Sequence, residues 1–397
     1  SKEKEIQLII QHWIRKLKIK LGWVHDFDKI IINYERKVFM LDMFRSSSKL
    51  LTTFTGHTAI VWSIDHLTFD DHQFICSGSS DKTVRVWDID NNKQIQLFNG
   101  HLNNVLCVKF SQYYYHNNHR NVICSSSSDN TIRFWDIKHN KQLHILNGHT
   151  GGIGGIEFSS FNGGRYLCSG SDDKTIRLWD VETSNLLHVF NGHTECVFCI
   201  DISPLQGNNK NSNKSNNIGV IGGNAYTICS GSSDKTIRIW DIETTKQLNV
   251  FKGHEHYVIC VKYGSNELLN TILSGSSDKS IRLWDIRSGQ QIQVFQGHSN
   301  QVFAVEYSPF VNNHEINITS NVICSGSLDS TIRFWDIRSN NNELYSIKVN
   351  DREDDGVFCF KFILLNKKGK INKQKSNDGC NANLCYGSFK GLIRVWG

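Results

Sequence analysis

The chain reads as short apolar runs separated by turn residues. After a Gly-His pair comes a run such as "VLCVKF", and "NVICSSSS", "TIRFWDI" and "KQLHILN" follow it. β-Branched residues, short length and polar punctuation predict four strands per unit, with no helical periodicity. Between the second and third strands, "SSDK" or "SDDK" supplies Ser and Asp for a tight turn. The third strand is apolar on both faces, with Ile132 and Phe134 on one and Trp135 on the other. Such a strand needs neighbours on both sides, which sheets stacked radially provide.

The unit repeats. Gly-His recurs with histidines at His57, His101, His149, His193, His254 and His298, spaced 44, 48, 44, 61 and 44 residues apart by their numbers. Trp-Asp closes each unit at Trp87, Trp135, Trp179, Trp240, Trp284 and Trp335, and a seventh, worn unit ends "GSFKGLIRVWG" at Trp396. A fixed period carrying both signatures is specific. From Lys49 to Gly397 the chain resembles the WD40-repeat β-propellers, the family of the G-protein β subunits. The resemblance implies an all-β fold of seven four-stranded blades over residues 49–397, preceded by a short helical segment over 1–48. The last unit stops after its third strand. The orphan run "KLLTTFT", residues 49–55, has the register of a fourth and should pair beside "GLIRVWG", since closure removes exposed strand edges.

A recurring His, Ser and Asp could suggest a nucleophilic triad, but six copies argue against one active site. The resemblance implies instead a hydrogen-bonded structural tetrad in each blade. By position these are His57/Ser77/Asp81/Trp87, His101/Ser125/Asp129/Trp135, His149/Ser169/Asp173/Trp179, His193/Ser230/Asp234/Trp240, His254/Ser274/Asp278/Trp284 and His298/Ser325/Asp329/Trp335. A buried indole N–H needs an acceptor, and a serine hydroxyl can accept from Trp while donating to His. In the seventh unit Glu353, Tyr386 and Lys390 fall at the His, Ser and Asp positions, so that blade is expected to be the softest.

Internal copies separate scaffold from free positions. The third and fifth residues after the Gly-His histidine vary. By analogy with the family they line the top face around the central channel, as does the residue before the turn Asp (Asp172, Leu328). Candidate partner-binding residues are Ile60, Trp62, Leu106, Phe198, Tyr257, Ile259, Phe303, Leu328 and Phe358. Either they form an exposed anchor surface or they are partly buried strand starts. The expected function is a non-catalytic scaffold that binds proteins or peptides, as a monomeric propeller within a larger complex. An alternative is the substrate receptor of a cullin-type ubiquitin ligase, because some family members bind an adaptor through "WDxR". Here "WDIR" ends at Arg287 and Arg338. No separate catalytic cluster or phosphate-binding loop is seen, and neither cofactor, metal nor small-molecule substrate is expected.

The remaining features refine this. Net charge is +6 with pI near 8.6, without the clustering of a nucleic-acid domain. No apolar run reaches the ~18 residues of a membrane span, and "SKEKEIQLIIQHW" has no signal-peptide pattern. Cys76, Cys124, Cys168, Cys229, Cys324 and Cys385 share one slot, and Cys107, Cys199, Cys260 and Cys359 another. They read as small buried hydrophobes of a reducing compartment, the cytoplasm or the nucleus. Cys196 and Cys199 form a CxxC that lacks the further ligands of a zinc site. The inserts at 206–224, 366–383, "YYYHNNHRN" and "VNNHEINITSN" all join strands one and two on the bottom face, and their composition predicts disorder. In residues 1–48, Ile6, Ile10, Trp13, Ile14, Leu17 and Leu21 recur at helical spacing. Gly22 would stop that helix and Asp26 would cap a second. Arg15, Lys16, Lys18 and Lys20 make a basic run, so the segment is either a hairpin packed on the propeller or a lipid-binding surface helix.

Overall fold

A computed structural model describes residues 49–69, 72–203, 226–264, 268, 270–309, 322–338, 343–349, 353–364 and 382–397. The readings for residues 1–48, the long inserts and "VNNHEINITSN" lie outside these. The described residues form seven four-stranded antiparallel sheets. Blade one is typical. Val61–Phe69 is its inner strand, followed outward by His72–Ser79, Thr83–Asp88 and Lys93–Asn99.

The seventh sheet is completed from the other end of the chain. Leu50–Phe54 pairs antiparallel with Ile393–Trp396, with Leu50 opposite Trp396 and Phe54 opposite Ile393. The backbones of Lys49 and Gly397 exchange bonds of 3.1 and 3.2 Å. The core lies between blades rather than at the centre. Phe54, Ile363 and Ile393 of blade seven pack with Val61, Ile75 and Trp87 of blade one. The apolar faces of the third strands are covered from both sides in this way.

One expectation needs correction. "YYYHNNHRN" is not disordered, for Gln112–Asn118 is a helix. Its tyrosines hold it down: Tyr114 lies 6.1 Å from both Phe134 and His144, and Tyr115 packs edge-on to Phe69. Blade seven, in turn, has buried polar partners of another kind. Asp354, next to Glu353, is fully buried and accepts from Tyr386 Oη at 3.1 Å and Arg394 Nε at 2.8 Å. Arg394 Nη2 also pairs with Glu353. In blade one the equivalent Arg85 donates from Nε to the Thr83 hydroxyl. Leu392 stands at that position in blade seven and offers no hydroxyl, so Arg394 turns to the carboxylate.

Two substitutions check this architecture. Phe54→Ala removes a side chain that is 3 % exposed and packs 5.3 Å from Trp87. It should cost roughly 3–5 kcal/mol in urea unfolding, and a loss of a few tenths would show that Leu50–Phe54 is a dispensable tail. Asp354→Ala leaves Arg394 without its buried carboxylate. A destabilisation of roughly 3–5 kcal/mol is expected, and hydrogen exchange should localise it to blade seven.

Candidate functional site

Each Gly-His turn and each Ser-Asp-Lys turn meet at the same end of a blade. In all six repeats the histidine Nε2 lies 2.7–2.8 Å from the serine Oγ. Its Nδ1 lies 2.7–2.8 Å from the aspartate. The tryptophan Nε1 donates to the same serine at 2.8–2.9 Å. A carboxylate only accepts, so Nδ1 carries the histidine proton and the serine hydroxyl donates to Nε2. Asp81 accepts further from the Thr58 and Thr83 backbone N–H groups and the Thr83 hydroxyl. The glycine leaves room for the indole, since a Cβ on Gly100 would lie 2.7 Å from the Trp135 ring.

The six serines, expected as members of structural tetrads, are sealed inside their blades. Ser77, Ser125, Ser169, Ser230, Ser274 and Ser325 are each 0 % exposed, enclosed in the second strands of their blades. Neither a substrate nor a partner can reach them, so they form no part of a functional surface. The physical reason is the tetrad itself: each hydroxyl is occupied by the indole and the imidazole that cover it. Their role is confined to holding the blade together. Burial lowers the histidine pKa below 6.5 at His57, His101, His149, His193 and His254, against the opposing pull of the aspartates. Burial pushes the Asp173 carboxyl up, but hydrogen bonds from Thr175 and His149 outweigh it and set its pKa at about 2. The same balance holds Asp81, Asp129, Asp234, Asp278 and Asp329 below the usual range.

The cysteines are enclosed to different degrees, the second slot being half-buried except at Cys359. The first slot is fully buried. The second lines the inner strands, with Cys260 and Cys359 raised by burial to about 12. Such thiols are poor nucleophiles. Among the described residues no group of three or more His, Cys, Asp and Glu could hold a metal ion, and none surrounds Cys196 and Cys199.

The top face is built by a bulge. Every inner strand breaks register at one residue: Trp62, Leu106, Gly154, Phe198, Ile259, Phe303 and Phe358. A bulge leaves that residue unpaired and re-aims its side chain. The resulting surface is uneven. Trp62 and Phe303 sit 5.1 and 4.9 Å from Phe358, and Trp62 is tethered by Nε1 to Ser80 Oγ at 2.7 Å. Phe358 is only 5 % exposed, because the other two rings cover it. It supports the surface and cannot serve as the contact proposed from sequence. Ile60, Trp62, Leu106, Phe198, Ile259, Phe303 and Leu328 are half-buried, and Tyr257 is 43 % exposed beside Phe198.

Sequence reasoning missed Phe389. It occupies the position before the turn Asp, where Asp172 and Leu328 were noted, is 45 % exposed, and lies 6.0 Å from Phe358. The alignment of Tyr386 with the tetrad serines could have found it. Blades six, seven and one thus carry an apolar crescent, whereas blade three presents Gly152, Gly154 and Asp172.

Six segments, 48–88, 92–136, 140–180, 184–241, 245–285 and 289–336, match the family described as WD domain, G-beta repeat. The chain belongs to the WD40 family. A stretch of this WD40 chain is also 36 % identical over 67 residues to "Cell division control protein 4" of Saccharomyces cerevisiae. That similarity covers 17 % of this chain and 8 % of the yeast protein. No helix among the described residues is long and apolar enough to cross a membrane.

The WD40 tetrads make stability pH-dependent. The six aspartates and the five histidines named above are shifted down on folding, so each favours the folded state above its unfolded pKa. The histidine contribution fades below about pH 6.5 and the aspartate contribution between about pH 4 and 2. Melting temperatures should therefore fall from pH 7 to pH 5 and fall further below pH 4, and a flat profile down to pH 4.5 would refute the histidine part. Asp173→Ala and Asp81→Ala should each cost about 1–3 kcal/mol, the penalty for an unsatisfied buried donor.

Proposed function

We propose that this WD40 chain is a non-catalytic scaffold whose protein or peptide partner docks on the top face across blades six, seven and one. Phe389 carries the reading. It is an exposed aromatic that continues the packed Trp62, Phe303 and Phe358 rings to the surface. Rigid, partly covered aromatics are the side chains that anchor interfaces. The tetrads hold the turns from which these residues project and take no part in chemistry. The buried thiols suit a reducing compartment, and the cytoplasm is the proposed location.

The ligase-receptor reading has its own support. Arg287 and Arg338 are exposed at equivalent bottom-face turns of neighbouring blades five and six. Each turn is shaped by the preceding aspartate, with Arg287 N donating to Asp285 and Arg338 N to Asp336. Under this reading a ligase adaptor co-purifies with the wild-type chain and is lost on Arg287→Ala plus Arg338→Ala.

Phe389→Ala separates binding from folding. Trp62→Ala is a poorer probe, because it also breaks the bond to Ser80. The Phe389→Ala melting temperature should stay within about 2 °C of wild type, as for other surface changes. Quantitative capture of partners should drop several-fold. Undiminished capture by Phe389→Ala together with Tyr257→Ala would remove the top face from the reading.

A further inference from the structure

Eight residues after each Gly-His histidine the inner strand carries an ionisable side chain: Asp65, Lys109, Glu157, Asp201, Lys262 and Glu306, with Lys361 equivalent in blade seven. One charged residue per blade inside an apolar strand makes a ring at the lower end of the channel. Lys109 pairs with Glu157 and Lys361 with Glu306. Lys262 of blade five reaches Asp201 of blade four at 3.6 Å and Glu157 of blade three at 3.7 Å, so the ring spans the channel.

A cavity of about 500 Å³ lies against this ring on the bottom side, lined also by His66, Thr68, Gln112 and Ser160. Its lining sets three carboxylates, Asp65, Glu157 and Asp201, against the three lysines, Lys109, Lys262 and Lys361. Asp65 accepts from the Phe110 backbone N–H at 2.9 Å but makes no ion pair within 4 Å among the described residues. His66 Nδ1 is buried there with no hydrogen-bond partner. Burial lowers the His66 pKa, which keeps the ring neutral and one nitrogen an acceptor. Burial likewise raises the Asp201 carboxyl despite Lys262 beside it. The cavity wall thus offers one carboxylate, Asp65, without an ion pair among the described residues, and beside it the unpartnered His66.

We propose that this lower mouth binds a small organic cation, a guanidinium or primary ammonium group, with Asp65 as its counter-charge and His66 as a second acceptor. The volume suits one small ligand or one inserted side chain rather than a helix or strand. A metal ion fits poorly, because no three ligating groups among the described residues come together. The same chemistry is offered by a free amine or guanidine and by a Lys or Arg side chain of another protein. The site lies at the opposite end of the channel from Phe389, so it stands or falls independently of the top-face reading.

Isothermal titration of the 397-residue chain with n-butylguanidinium and with acetyl-Gly-Arg-Gly-amide tests the site. Their neutral counterparts, n-butylurea and the citrulline peptide, serve as isosteres. Saturable binding is expected for a cationic probe and none for its urea. Tighter binding of the peptide assigns a protein side chain as the source, and tighter binding of free n-butylguanidinium assigns a small amine or guanidine. Asp65→Asn keeps an oxygen for Phe110 N–H yet should weaken binding by roughly tenfold or more, the worth of a charge-assisted hydrogen bond. Saturation by neither cation at millimolar concentration, equal binding of the ureas, or unchanged affinity in a folded Asp65→Asn chain would overturn the proposal. The urea comparison needs no variant, so the test survives if Asp65→Asn does not fold.

Discussion

An indole N–H that water cannot reach must find an acceptor, and this requirement organises the propeller. The six tetrad tryptophans are 1–3 % exposed. Each donates to a serine enclosed in the same sheet, whose own proton then needs an acceptor. A neutral histidine nitrogen provides it, and the other nitrogen must be balanced by a carboxylate at the turn. Four residue types from three places in the repeat are thereby tied together. Truncating any one of them strands the next, which is the usual consequence of opening a satisfied buried network. Six serially repeated networks explain a His, Ser and Asp constellation that looks catalytic residue by residue and is sealed from substrate in space.

Blade seven meets the same demand with different chemistry. Tyr386 replaces the serine, and its phenol is too long for the tetrad geometry. Leu392 removes the hydroxyl that the arginine meets in blade one. Asp354 answers both by accepting from Tyr386 and Arg394 together. The blade also depends on a strand from the far end of the chain, so its integrity is coupled to the closure of the ring.

With the scaffold fixed, the bulge in each inner strand frees one residue per blade. Seven nearly equivalent strands then present unlike residues to the two ends of the channel. At the top, aromatic residues gather on blades six, seven and one. At the bottom, acids and bases of different blades meet around the axis. Symmetry in the backbone and asymmetry in these two rings let one framework offer distinct surfaces at either end.

The repeat, the four strands, the closing pairing of Leu50–Phe54 and the membership of each tetrad were legible in the sequence. All of them depend on spacing within one unit or on the register of a recurring strand, and local spacing is what a sequence states directly. The WD40 resemblance added which four side chains bond. The complete enclosure of the six tetrad serines, the burial of Phe358, the exposure of Phe389, the Asp354–Arg394 pair and the helix under "YYYHNNHRN" were not legible. Each turns on which side chains of different strands or blades come within a few ångströms. The charged ring marks the boundary most sharply. Its seven members stand at one repeat position and could have been noticed there. That Lys262 would reach acids on two other blades, while Asp65 has no ion pair among the described residues, was decided only when the sheets closed and brought seven inner strands around one axis.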